Sequence, residues 1–141
     1  MSDVKIFNAT KEEVKYIDEG IITYNQTQLP FTQEPTFIPL NRCIKEDGKV
    51  VAGILATIAC WGILSIDVLW VKEEYRGKGY GSQLMKAVEE EAKGKGAKLS
   101  RVETFEFQAK GFYEKLGYEV FGVLENCPEG YKDYSLAKRL D

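Results

Sequence analysis

Apolar residues along this chain either alternate with polar ones or recur at helical spacing. Val4 to Phe7 reads as a short first strand. Thr10 then offers an N-cap, and Glu13, three residues on, completes a capping box. Val14, Ile17 and Ile21 follow at helical spacing, which predicts a helix from about Lys11 to the mid-twenties, slightly weakened at Gly20. Asn25 to Pro39 is irregular and punctuated by Pro30, Pro35 and Pro39, with Tyr24, Phe31 and Phe37 interleaved. It reads either as a loop packing its aromatic side chains or as a wall beside a substrate.

Arg42 to Glu46 predicts a strand, Asp47-Gly48 a hairpin turn, and Val50 to Trp61 the returning strand. Gly62 breaks that run. Ile63 to Val71 is apolar at nearly every position and predicts a central strand covered on both faces. A helix follows from Gly79, with Leu84, Val88 and Ala92 as its apolar stripe, Met85 and Ala87 widening it, and Gly94 and Gly96 ending it. Leu99 to Thr104 reads as a strand, Gln108 to Leu116 as a short helix closed by Gly117, and Tyr118 to Val123 and Tyr131 to Ala137 as final strands. This order predicts a mixed α/β fold: one domain over residues 1–141, with a central mixed sheet flanked by helices. The regular βαβ alternation of a doubly wound sheet is missing.

Composition narrows the chemistry. The 141 residues contain no histidine, which removes a His-based triad, a His metal site and a His general base. Proton transfer falls to carboxylates, Tyr, Lys, Cys or water. Cys43, Cys60 and Cys127 are far apart, form no C-x-x-C pair, and suit a reducing cytoplasm; Cys60 lies in an apolar run and reads as a buried thiol. Cys127 reads as a turn residue, since no partner base is evident beside it. A formal charge of −3 gives no basic footprint for nucleic acid and mildly favours cationic ligands. No apolar run approaches a membrane span, and Met-Ser-Asp-Val-Lys lacks a signal core, so a cytoplasmic, unanchored protein is expected.

The segment from Asp67 to Ser82 carries the most chemical information. A buried strand ends at Val71, a turn rich in small residues follows, and a helix begins. Gly77, Gly79 and Gly81 lack a Cβ, so a ligand can lie against the backbone. Free N–H groups and the dipole at a helix start favour an anion. Arg76 and Lys78 add positive charge, and Ser82 adds a hydroxyl. Neither the dinucleotide fingerprint nor the P-loop matches this turn.

Arg76-Gly-Lys-Gly79-Tyr-Gly81 resembles the R/Q-x-x-G-x-G/A element of the GNAT N-acetyltransferase superfamily. Ala109-Lys-Gly-Phe112-Tyr113-Glu-Lys115-Leu-Gly117-Tyr118 is similar to that family's second signature, A-x-x-F-Y-x-K-x-G-F, in the family's order and at its usual separation. The resemblance is clear over roughly Val50 to Leu140 and holds in outline before that. It implies the acyl-CoA N-acyltransferase fold and acetyl-CoA as co-substrate, with no metal. Backbone groups of Leu69, Trp70 and Val71 would pair with the pantetheine arm beside a V-shaped gap in the sheet. The turn of Arg76, Gly77, Lys78, Gly79, Tyr80, Gly81 and Ser82 would cradle the pyrophosphate. Phe112 would fill the core beside the cofactor, and Lys115 would either approach its ribose phosphate or stay solvated. One departure stands out: the family often has Asn where this chain has Glu106, so its orienting amide is either supplied by Gln108 or missing.

Acetyl transfer needs a deprotonated amine, a polarised thioester carbonyl and a stabilised leaving thiolate. By the resemblance, Tyr113 is the general acid for the sulfur, and a backbone N–H near Val71 polarises the carbonyl. Two carboxylates compete as base. Alternation puts Asp67 on the face of Leu69 and Val71, where burial would make it more basic. Glu103, near the end of the next strand, faces the same cleft. Each reads equally as a structural carboxylate, and a water chain is the third option. The acceptor is read as an amine, first of a small molecule, alternatively a protein lysine or N-terminus; a non-catalytic acyl-CoA-binding module is the remaining alternative. The chain is expected to be a monomer or homodimer, with the strand around Tyr131 to Ala137 as the available edge.

Overall fold

The computed structural model describes residues 3–141, in two compact units: one ending at Phe31, the other running from Thr32 to Asp141. In the first unit, helix α1 spans Lys11–Gln28. The predicted capping box is present: Glu13 N–H donates to Thr10 Oγ1 at 3.2 Å, and Thr10 N–H donates to Glu13 Oε1 at 2.9 Å. The helix outlasts the expected mid-twenties and stops at Gln28. Leu29 is extended (φ −144°, ψ 106°), as sterics demand of a residue before Pro30. Val4 to Phe7 form no strand, contrary to the sequence expectation. Their backbone joins no ladder and their apolar side chains are exposed.

The second unit is built on a seven-stranded mixed sheet: β1 (Phe37–Pro39), β2 (Arg42–Glu46), β3 (Lys49–Ala59), β4 (Ile63–Val71), β5 (Leu99–Phe105), β6 (Glu119–Glu125) and β7 (Lys132–Arg139). The order is β1-β3-β4-β5-β7-β6, with β2 also on β3. All pairings are antiparallel except β4 with β5. β1 falls inside the stretch read as irregular. Its one proline, Pro39, is tolerated because it is an edge strand. The β2–β3 hairpin turns at Asp47 (φ 52°) and Gly48 (φ 76°), the double left-handed turn that the Asp-Gly pair predicts.

Helix α2 (Tyr80–Gly94) buries Leu84, Met85, Val88 and Ala92 against one face of the sheet, the stripe expected from their spacing. Helix α3 (Lys110–Lys115) adds Tyr113 to the same core. The sheet contributes Ile54 and Ile58 from β3, Leu64 and Ile66 from β4, Val102 from β5 and Leu136 from β7.

Two expectations are corrected here. β4 is central, yet it is not covered on both faces: Leu64 and Ile66 are buried, whereas Asp67, Val68 and Trp70 are exposed. The C-terminal strand is not an edge. β7 lies between β5 and β6, so both its ladders are occupied and β6 forms that border of the sheet. Among the described residues, no helix is long and apolar enough to cross a membrane.

Candidate active site

The parallel pairing of β4 and β5 runs from Ile63–Leu99 to Ile66–Val102 and then stops. Both strands continue, β4 to Val71 and β5 to Phe105, so the sheet forks there. A β-bulge accompanies the fork: Leu55 of β3 pairs with Val68 and Ala56 with Ile66, which leaves Asp67 as the extra residue on β4. A bulge bends its strand and re-aims a side chain. Simple alternation therefore fails at this position. Leu69 and Val71 pack on the core, while Asp67 and Val68 both face out. Asp67 is exposed, so the burial on which its basicity was argued is not present.

A cavity of about 720 Å³ opens at the fork. Its walls include Ser65 and Asp67 from β4, Arg101, Glu103 and Phe105 from β5, Gln108 from the following turn, Phe121 from β6, and Asp133 and Ser135 from β7. Both carboxylates proposed as bases thus line one space, together with Gln108. Sequence reasoning missed Ser65, Arg101, Phe105, Phe121, Asp133 and Ser135. A signal existed for β7, where Asp133 and Ser135 alternate with Tyr134 and Leu136. What it lacked was the knowledge that β7 returns beside β5.

The turn after β4 is set by two glycines. Gly77 (φ 80°) and Gly79 (φ 82°, the N-cap of α2) are left-handed, and a Cβ on either would meet open space. The first helical bond runs from Gln83 N–H to Gly79 C=O at 3.0 Å. Among the described residues, the amides of Gly77 through Ser82 have no acceptor. An open cradle of unpaired donors at a helix start fits the phosphate oxygens of a coenzyme A pyrophosphate. Gly81 differs. Its virtual Cβ would stand 3.3 Å from Phe112 Cζ, so here glycine permits close packing with α3.

Side chains around the turn brace it. Arg76 Nε donates to the Val71 carbonyl at 3.0 Å. Tyr80 donates its hydroxyl to Glu46 on β2 and stacks on Tyr75, and the Lys78 ammonium sits 5.1 Å from the Tyr75 ring centroid. The hydrogen bond to the Glu46 carboxylate, with a smaller contribution from desolvation, pushes the Tyr80 phenol pKa up. Beyond Val68 the β5-side edge of Leu69, Trp70 and Val71 carries no strand pairing, as a docking edge for an extended ligand requires.

Tyr113 is 5% exposed, and desolvation pushes its phenol pKa above the ordinary value. Its ring packs edge-on against Phe112 and Tyr118, with centroids 5.2 and 5.8 Å away. Among the described residues, no partner is assigned to its hydroxyl. The neighbouring Tyr118 is committed: Ser100 Oγ lies 2.7 Å from its hydroxyl, which donates to Glu89 Oε2 at 2.7 Å, and Lys138 holds Glu89 Oε1 at 2.7 Å. Of these two buried phenols, the one free to donate to a ligand is therefore Tyr113. It does not line the cavity at the fork. The structure gathers Asp67, Glu103 and Gln108 around the cavity, and places Phe112 against Gly81 of the turn with Tyr113 packed behind it.

Of the remaining candidates, Glu106 accepts the Lys132 N–H at 2.9 Å and so fastens the start of β7. Gln108 Oε1 accepts the Phe105 N–H at 2.7 Å, which leaves its amide nitrogen without a partner among the described residues. Lys115 is exposed at the end of α3, and Ser82 is exposed in the first turn of α2. Cys60 is buried, as expected, and Cys127 lies in the turn closed by its own N–H to the Tyr131 carbonyl.

Comparison with known proteins places this geometry. The Acetyltransferase (GNAT) family profile matches residues 5–118. An acetyltransferase from Bacillus cereus ATCC 14579 is 37% identical, with a TM-score of 0.88 over 96% of this chain and 97% of that one. A protein from Agrobacterium tumefaciens is 28% identical, with a TM-score of 0.83 over 99% of both chains. An aminoglycoside 6′-N-acetyltransferase solved with coenzyme A shares the fold at 18% identity, with a TM-score of 0.65 over 94% of this chain and 82% of that one. Among curated proteins, none matches. The forked sheet, the glycine cradle and these matches agree: the chain belongs to the GNAT acetyltransferase family and is an acetyl-CoA-dependent N-acetyltransferase.

Proposed function

We propose that the chain transfers the acetyl group of acetyl-CoA to a primary amine of a small molecule that enters the cavity at the β4–β5 fork. The observation that carries this reading is the fork, with Asp67 and Glu103 on its two prongs at the mouth of one cavity. In this reading the amides of Gly77 to Ser82 hold the pyrophosphate, and the free β4 edge at Leu69 to Val71 holds the pantetheine. Asp67 or Glu103, directly or through water, takes the ammonium proton. The amine nitrogen attacks the thioester carbonyl and the C–N bond forms; as the C–S bond breaks, the nitrogen gives up its surplus proton to water, from which Tyr113 is reprotonated after each turnover. Tyr113 gives its proton to the departing sulfur, a role supported by its unpartnered hydroxyl and raised pKa, which keep it a donor at neutral pH.

The test is release of free thiol from acetyl-CoA against a panel of small amines, amino acids and basic peptides, with the exposed Cys43 blocked. Acceptor-dependent release with small amines supports the reading. Release with peptides alone moves the acceptor to a protein. Tight acetyl-CoA binding with no release on any acceptor overturns catalysis on amines and leaves a binding module.

A further inference from the structure

We infer that the acceptor carries two positive charges, a reactive amine and a second ammonium, so that short aliphatic diamines and longer polyamines are its class. This rests on the reading that a small amine enters the cavity at the fork. In that reading the fork holds the acceptor, and the charges around it select among amines.

Asp67, Glu103 and Asp133 all line the cavity, against a single cation, Arg101. Arg101 lies behind the apex of the fork: it pairs with Ser65 in the closed part of the β4–β5 ladder, and its Nε donates to Ser65 Oγ at 3.2 Å. Among the described residues, none of the three carboxylates has a hydrogen-bond or ion-pair partner. Elsewhere in the second unit, Glu89, Glu91 and Asp141 are each paired with a cation. Three unpaired carboxylates around one cavity raise its affinity for cations, and a monocation leaves it negative.

Their spacing separates two poles. Asp67 and Glu103 follow the last parallel pair and form the pole at the apex. On the other side, Glu103 pairs with Ser135 and Phe105 with Asp133, so Asp133 is the diagonal neighbour of Glu103, with Cα atoms roughly 7–8 Å apart. Phe105 and the bulge residue Phe121 offer apolar surface for the methylenes between two ammonium groups. The amine at the apex loses its proton to a carboxylate and is acetylated, while the distal ammonium stays charged at Asp133. The product has one charge fewer, which favours its release and disfavours a second acetylation.

The experiment compares 1,5-diaminopentane with n-pentylamine by thiol release and by the mass of the product. The expected result is a KM about tenfold or more lower for the diamine, from one added charged contact, with the monoacetyl product alone. Asp133→Asn is expected to collapse that preference by raising the diamine KM, Asp133→Glu to retain it, and added salt to narrow it. The acetyl-CoA KM serves as the check on folding. Equal KM values for the two amines, or an Asp133→Asn preference equal to that of the wild type, overturn the dication while leaving N-acetyl transfer intact. Thiol release with neither amine but with another small amine of the panel overturns the dication alone; release with peptides alone overturns the small-amine reading, and the dication with it.

Discussion

Asp67 and Glu103 are the first residues beyond the last parallel pair, Ile66 and Val102, and so stand on opposite prongs of a forked sheet. Strands β4 and β5 part at this point, and the bulge at Asp67 turns its carboxylate out of the alternation that governs the rest of β4. The same two residues thus mark where the ladder ends and where the cavity begins.

Both carboxylates line one cavity, so in the proposed reaction each substitutes for the other as acceptor of the amine's proton. Asp67→Asn and Glu103→Gln are each expected to lower kcat/KM by about tenfold or less, and the double variant by about 10²-fold or more. Steady-state kinetics at saturating acetyl-CoA provides the check. A full loss in one single variant and none in the other would assign the base to one residue.

Tyr113→Phe is expected to lower kcat about 10²-fold with little change in the acetyl-CoA KM. The packing of its ring on Phe112 and Tyr118 survives the substitution, so the melting temperature should stay close to wild type. An unchanged kcat would remove Tyr113 from the chemistry.

The glycines of the turn should respond differently to alanine. At Gly79 the left-handed φ makes an L side chain cost about 1–2 kcal/mol, and the new Cβ would stand in the open space of the turn that carries the unpaired amides. Gly79→Ala should therefore weaken coenzyme A binding as well as stability. Gly81→Ala presses on Phe112 instead, so its effect should appear first in the melting temperature. Calorimetric titration with coenzyme A, alongside thermal unfolding, separates the two.

Tyr118 makes stability depend on alkaline pH. Burial, together with the Glu89 carboxylate, holds its phenol pKa well above the ordinary value, Ser100 opposing in part. Below about pH 10 the unfolded phenol is also protonated and the group adds no slope. As pH rises past that point the unfolded chain releases a proton that the folded chain retains, so stability falls. Tyr118→Phe should cost about 1–3 kcal/mol at neutral pH through the bonds lost at Ser100 and Glu89. It should also flatten the decline of the urea midpoint above about pH 10.

Local rules determined much of this protein. The Thr10–Glu13 box starts α1, Asp47-Gly48 closes the β2–β3 hairpin, and the Leu84, Val88 and Ala92 stripe forms the inner face of α2, because each depends on residues a few positions apart. The glycine turn and the Phe112-Tyr113 pair pointed to the family from the sequence alone. Pairing over long distances was decided only by the tertiary structure. Val4 to Phe7 have the pattern of a strand and find no partner, Phe37–Pro39 have a poor pattern and find one, and β7 is drawn inside the sheet between β5 and β6. The cavity belongs to this second class. Its walls come from four strands and a turn, and Asp67 enters it through a bulge that shifts a strand by one residue, a displacement that periodicity does not encode because it arises from register against β3.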